Sequence, residues 1–475
     1  MSAVVQAPTS AGVRLQDRAH DERRRRRLAL AVLVAAQFVV MLDTSIVNVA
    51  LPTIQGDLQL TPAGVSWVVN AYVLAFGGLL LLCGRVADVL GRRRMFVGGA
   101  ALFTLGSVLA ACASAQELLV AGRVVQGVGA AALSPAAMSL LLQTFPGSSR
   151  ARAMSVWGAA STLGGATGVL VGGLLAGTFG WAAVFLVTVP VTTAAMFLAR
   201  GLLEDEPGAD RRRLDGPGAI TITGSVLALV HGALGVSDGH LASASVLTSF
   251  GAAAVLFALF VMVERRTPDP LVPLDLFRSR VLSTGVALAV LGGAARASTF
   301  VLVALYLQQA LAMAPQQAGL AMLPTSLTGF AVSLALLPRM LRAAGPRWSL
   351  VIGLVVLAVG HLWLAHPPLG GSYAVTVLPA LFLVAVGVAF SFTPTTMVIA
   401  SSVPDSHAGL ASGLAGSATQ VGSALGTAAF IAIGVAAGAP DGSSLTPAGF
   451  TAAFTAAAGV ALGTALLGTS IARHR

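Results

Sequence analysis

The chain has no lysine: all 28 of its basic residues are arginines. No phosphate-binding GxxxxGK[ST] loop can be written without lysine, so ATP hydrolysis within this chain is not expected. Energy must come from a gradient, a partner or the substrate itself. Charge of either sign is scarce, at 10% of residues, where a soluble domain carries about 25%. So few charges cannot cover the surface of a soluble protein of this length. Cysteine is nearly absent too. Cys83 and Cys112 lie in or beside apolar runs, which excludes a disulfide framework. The seven histidines are scattered, with no HExxH, so no metal site is expected. Nor is a cofactor: GRVVQGVGAA, from Gly122, has no βαβ context and is no dinucleotide fingerprint. No nucleophile–base pair stands out, so the chain is not expected to be an enzyme. The net charge of +10 would suggest nucleic acid if it formed a patch. Here the arginines are dispersed among short loops, and nucleic acid is excluded as a partner. Alanine and glycine in abundance, with lysine avoided, point to a GC-rich bacterial genome.

What the chain has is apolar runs. Stretches of 18 or more apolar residues are membrane spans, because about 20 helical residues cross roughly 30 Å of hydrocarbon. Fourteen are expected, with cores at 28–50, 65–83, 95–113, 118–142, 153–175, 181–199, 216–235, 244–263, 282–311, 316–337, 348–366, 372–400, 409–436 and 448–471. Charge supports the count. Alternate loops hold Arg92 to Arg94, Arg150, Arg152, Arg211 to Arg213, Arg265, Arg266, Arg278, Arg280, Arg339, Arg342 and Arg347, followed by terminal Arg473 and Arg475; the other loops hold no arginine. A missed span would invert that alternation. By the positive-inside rule both termini are cytoplasmic and the protein is multi-pass in a bacterial cytoplasmic membrane. Residues 1–27 are polar, end in Arg23 to Arg27, and read as a disordered cytoplasmic tail rather than a cleaved signal. The proline-rich segment 264–281 is expected to lie along the cytoplasmic surface. Membrane lipids are the expected surroundings, and fourteen spans suffice for a monomer.

Ionisable groups inside the spans are few. Asp43 sits in the first span. A carboxylate in hydrocarbon is costly unless it faces a cavity or carries a proton. It is either a proton-coupling or substrate group, or a structural acceptor for Thr44, Asn48 or a neighbouring helix. Arg123 opens the fourth span, and Gln126 follows on the same helical face; the pair is either functional or an interhelix anchor. Arg296 lies midway along the ninth span, which has no acid. It must face water, a distant acid such as Asp43, or an anionic group of a substrate; the alternative is a packing role against backbone carbonyls. With Arg296, the residues Asn48, Gln126, Trp157 and Gln308 are candidates for the substrate pathway, with interfacial or packing roles as the alternative. Gly164, Gly168 and Gly172 repeat every four residues in the fifth span, with Gly173 beside them. Such a smooth stripe suits close helix packing or sliding.

CGRVADVLGRRRM, Cys83 to Met95, is a short charged turn between two spans. It resembles the signature between spans two and three of the major facilitator superfamily. LDTSIVNVALP, from Leu42 to Pro52, resembles the first-span motif of that superfamily's fourteen-span drug:proton antiporter branch. RVVQGVGAA carries its fourth-span arginine at Arg123, and Tyr306 to Pro324 resembles its segment joining spans nine and ten. The fifth-span motif departs at one place: Val169 stands where the family often has proline, which removes a built-in kink. The resemblance implies an all-α polytopic fold of two six-helix bundles plus two extra central spans. It divides the chain into 1–27, a bundle over 28–200, two extra spans and a linker over 201–281, and a bundle over 282–475. It implies Asp43 and Arg123 in proton coupling, and a cytoplasmic gate of Gly84, Arg85, Asp88, Gly91, Arg92 and Arg93. It also implies a gating role for the glycines of span five. The function expected is proton-coupled export of amphipathic drugs or antibiotics by alternating access. The alternatives are an importer or facilitator of a small solute, and a non-transporting sensor or scaffold.

Overall fold

A computed structural model describes residues 10–203, 215–237, 243–366, 372–438 and 445–471. Arg211 to Arg213, Arg473 and Arg475 lie outside them. The described residues contain fourteen helices long and apolar enough to cross a membrane. They are α1 (His20–Asp57), α2 (Gly64–Leu90), α3 (Arg92–Ala111), α4 (Gln116–Thr144), α5 (Ser149–Phe179), α6 (Ala182–Leu202) and α7 (Gly216–Val236). The series continues with α8 (Ala244–Glu264), α9 (Arg280–Ala310), α10 (Gln317–Ala335), α11 (Leu337–Ala365), α12 (Tyr373–Ala400), α13 (Ala408–Gly438) and α14 (Pro447–Ser470). No strand occurs among the described residues.

Local chemistry sets several of the ends. Thr61, Ser243 and Thr446 each accept a hydrogen bond from a backbone N–H in the first turn of α2, α8 and α14, the usual work of an N-cap. Gly91 alone separates α2 from α3, at φ +100°, a conformation that suits glycine. The charged turn is therefore a single residue, and Arg92 to Arg94 already belong to α3. Gly345 (φ +75°), followed by Pro346, kinks α11. The helix of the first span begins at Ser10, within the segment the polar composition marks as a disordered tail. Arginine, alanine and leucine are good helix formers, and Arg26 pairs with Glu22 one turn away at 2.7 Å. Most of segment 264–281 is exposed or half-buried. Leu271 and Val272 are buried in a cluster with residues of α2, α7, α8 and α13, because that apolar pair finds a groove there.

The helices form two bundles. In the first, α1 packs on α5, and α4 on α2 and α3; in the second, α11 packs on α12 and α14, and α9 on α13. The bundles meet at two seams, α2 on α13 and α5 on α10. These seams are reciprocal: the second and fifth spans of one bundle face the fifth and second of the other. The extra pair α7–α8 docks through α7 along the α2/α13 seam. Among the spans α4 is the most deeply buried and α8 the least.

The glycine stripe of α5 is a packing face toward α1. A Cβ on Gly164, Gly168 or Gly172 would stand 2.6, 2.7 or 2.8 Å from the carbonyl oxygens of Phe38, Leu42 and Ile46 respectively. On Gly173 it would meet only Val49 Cγ1, at 3.7 Å. Gly168→Ala is therefore expected to cost about 1–3 kcal/mol, the usual range for overpacking, while Gly173→Ala is close to neutral. Thermal unfolding of the two purified variants in detergent checks this; equal melting temperatures would contradict the packing.

Candidate functional site: a buried ion pair behind a central cavity

Asp43 on α1 and Arg123 on α4 are both buried, at 0% and 2% exposure. Arg123 Nη1 donates to Asp43 Oδ2 at 2.6 Å. Gln126, one turn along α4, donates from Nε2 to Asp43 Oδ1 at 3.1 Å and accepts from Arg123 Nη1 at 2.9 Å. Gln126 Nε2 also reaches Ser107 Oγ on α3 at 2.9 Å, and that hydroxyl lies 3.0 Å from Thr188 Oγ1 on α6. Arg123 Nε donates to the Val68 carbonyl of α2 at 3.1 Å, and its guanidinium lies 4.3 Å over the Tyr72 ring. One network thus joins five spans of the first bundle. The helical period of about 3.6 residues per turn puts Arg123 and Gln126 on one face of α4, which is why both meet the same carboxylate.

A cavity of about 540 Å³ lies between the bundles. Spans α1, α5, α9, α10, α12 and α13 line it. Met41, Thr44, Ser45 and Asn48 of α1 face it, so Asp43 sits on the back of the same helix that forms its wall. Arg296 projects into it from α9. Trp157, which is buried, lines a smaller adjoining cavity of about 150 Å³ with Gln37 and Gln420. Gln126 belongs to the closed network and not to the cavity wall. Gln308 is exposed on a π-helical turn at the end of α9, outside the cavity lining. Arg296 does not reach Asp43, whose oxygens are taken by Arg123 and Gln126.

At the end of the molecule that carries the charged turn, Asp88 crosses between bundles. Its carboxylate accepts from the backbone N–H groups of Gly409 at 2.9 Å and Leu410 at 2.7 Å, the first turn of α13. Negative charge is favoured at a helix N-terminus. Arg92 holds the same carboxylate at 3.3 Å. Gly84 lets the backbones meet: a Cβ there would stand 2.9 Å from Gly413 Cα. Arg93 Nη1 donates to the Arg200 and Leu203 carbonyls at the end of α6. Arg85 is buried beside this seam, and Asp215 and Glu264 of the α7–α8 insert are buried with it.

Sequence reasoning missed several of these groups. Asp215 and Glu264 fall at span ends, where an acid looks interfacial. The hydroxyl-rich lining of α13, Thr419, Gln420 and Ser423, has the spacing of one helix face, and that spacing is the available signal. Small polar residues are so common in these spans that the signal is weak.

Fourteen apolar spans, twelve in two bundles and two docked beside them, with a cavity of about 540 Å³ between the bundles and a sealed ion pair behind its wall, are the architecture of a polytopic transporter. The chain belongs to the Major Facilitator Superfamily, whose family model matches residues 33–427, and its span count is that of the fourteen-span drug-efflux branch. It is similar to the cephamycin export protein CmcT of Amycolatopsis lactamdurans, 36% identical over 82% of each chain. It is also similar to the puromycin resistance protein pur8 of Streptomyces alboniger, 37% identical over 84% of this chain and 79% of the other. The fold is that of the human organic anion transporter MFSD10, with a TM-score of 0.68, 16% identity, and coverage of 93% of this chain and 99% of the other. The protein is a multi-pass secondary transporter of small solutes, not an enzyme.

Proposed function

We propose that this chain exports small amphipathic compounds, antibiotics among them, in exchange for protons. The observation that carries the reading is the placement of Asp43. It is a sealed carboxylate bound to Arg123 and Gln126, on the helix whose opposite face lines the cavity. A proton arriving on Asp43 competes with Arg123 for the carboxylate. Loss of that contact frees α1 from α4, and the glycine face of α5 lets α1 shift against it. Cargo contacts at Thr44, Ser45 and Asn48 move with the same helix. Proton occupancy and cargo occupancy are thereby linked through one rigid element. The Asp88 contacts with α13 close one end of the molecule, and the alternation of arginines in the sequence assigns that end to the cytoplasm. Exposed apolar side chains such as Leu174, Phe179, Ile220 and Leu466 suit an outer surface facing lipid, and the protein works as a monomer. Relatives named for cephamycin export and puromycin resistance support antibiotic-like cargo and an outward direction.

The test is substrate-dependent proton movement in sealed vesicles containing the purified protein. A lipophilic cation, a neutral antibiotic and an anionic aromatic compound form the panel. Proton and compound moving in opposite directions, with uphill compound flux lost on adding an uncoupler, is the expected result. Compound flux indifferent to the proton gradient would make the protein a facilitator. Parallel movement of both would make it an importer. No flux of any compound by folded protein would leave a sensor or scaffold.

A further inference from the structure

Arg296 is a charged side chain with no hydrogen-bond partner among the described residues, at Nε, Nη1 or Nη2. It lies midway along α9 at 4% exposure. A buried cation without a counter-charge is costly, and the cost is offset when an anion or water occupies the space it faces. That space is the central cavity. Among the described residues no acid lines the cavity, and Arg296 is the one charged group in its lining. Asp43, on the helix that forms one wall of the cavity, is committed to Arg123 and Gln126.

The surroundings preserve the guanidinium as a free fork. It folds back over Gly292, one turn earlier on α9, where a Cβ would stand 2.5 Å from Nη1. Any larger residue there would push the fork aside. The ring of Phe392 lies 5.8 Å from its central carbon, on the opposing α12 wall. Phe300, one turn further along α9, also lines the cavity. The cavity therefore offers one planar donor group, a flat apolar wall beside it, and neutral polar groups such as Gln420 elsewhere.

We propose that the central cavity recognises an amphipathic carboxylate, with the acid group paired to Arg296 and the apolar body against Phe392 and Phe300. This rests on the transport reading of the cavity. A guanidinium presents parallel N–H donors that match both oxygens of a carboxylate. The same charge opposes a lipophilic cation in this low-dielectric space, where the repulsion is only weakly screened. The volume of about 540 Å³ falls in the range of pockets that hold drug-sized ligands.

The test uses three probes with one aromatic body: naphthalene-2-acetate, naphthalene-2-acetamide and (naphthalen-2-ylmethyl)trimethylammonium. Binding to the purified full chain is measured by calorimetry for wild type, Arg296→Gln and Arg296→Lys, each checked for its melting temperature. Wild type is expected to bind the acetate at least about tenfold more tightly than the amide, and the ammonium most weakly. Arg296→Gln should erase the preference and melt no lower than wild type, since it removes an uncompensated charge. Arg296→Lys should keep part of the preference. The proposal is overturned if the amide or ammonium binds as tightly as the acetate, if Arg296→Gln binds the acetate unchanged, or if folded wild type does not bind it. Displacement of the acetate by chloride at equal concentration would also overturn it, by making the site one for a small inorganic anion. Arg296-dependent acetate binding without proton exchange in vesicles would sink the antiport reading and keep the site. Proton-driven export of a cation that ignores Arg296→Gln would do the reverse.

Discussion

Arg123→Leu is expected to destabilise the protein by about 3–5 kcal/mol, the usual penalty for removing one partner of a buried ion pair. The magnitude follows from what is left behind. Asp43 has no exposure, so water cannot replace the guanidinium. Gln126 would remain on one oxygen, while the other loses its 2.6 Å contact. The Val68 carbonyl loses its donor and Tyr72 loses the cation over its ring. Thermal unfolding in detergent should show the loss. The double variant Asp43→Asn/Arg123→Leu should recover most of it, because no charge is then stranded. A double variant as unstable as the single would mean that Arg123 acts by packing alone, and the ion pair would lose its place in the account.

Asp88→Ala is expected to open the end of the molecule where α2 meets α13. The carboxylate makes two short bonds to backbone N–H groups across the seam. Hydrogen bonds to charged groups contribute about 1.5–3 kcal/mol each. Loss of the pair, even discounted to about 3 kcal/mol, shifts a two-state equilibrium on the order of a hundredfold. The variant should therefore favour the state open at that end. Spin labels on cysteines placed at Ser149 and Arg339, exposed positions at the start of α5 and of α11, report the separation of the bundles there, in a background lacking Cys83 and Cys112. A longer mean distance in Asp88→Ala is the expected outcome. An unchanged distribution would mean that the glycine contacts around Gly84 and Gly413 hold the seam unaided.

The sequence revealed the parts of this molecule that rest on rarity. In chains so poor in charge, Asp43, Arg123 and Arg296 stand out because each is expensive in hydrocarbon. Span boundaries followed from hydropathy, since a helix must match a fixed thickness. Partners were harder to read. Asp88 binds backbone N–H groups of α13, and a backbone donor leaves no side-chain signature in a sequence. Asp43 and Asn48 are five positions apart on one helix, yet they serve the closed network and the cavity respectively. Which face of α1 meets which neighbour depends on bundle packing that periodicity does not specify. Gln308 stands out as polar near a span end, and it is exposed on a π-helical turn outside the lining of the central cavity. The glycine stripe of α5 was visible, while its partner, the row of carbonyls at Phe38, Leu42 and Ile46, was not.

The central claim is that Asp43 exchanges Arg123 for a proton. Infrared difference spectroscopy of the protein in lipid, between mildly alkaline and mildly acidic buffer, tests it most directly. The account predicts a protonated-carboxyl C=O band in the wild type on acidification. In Asp43→Asn the band is missing, while the melting transition still shows a folded protein. Identical difference spectra for the two proteins would contradict the claim, and would leave Asp43 as a structural acceptor holding α1 to α4.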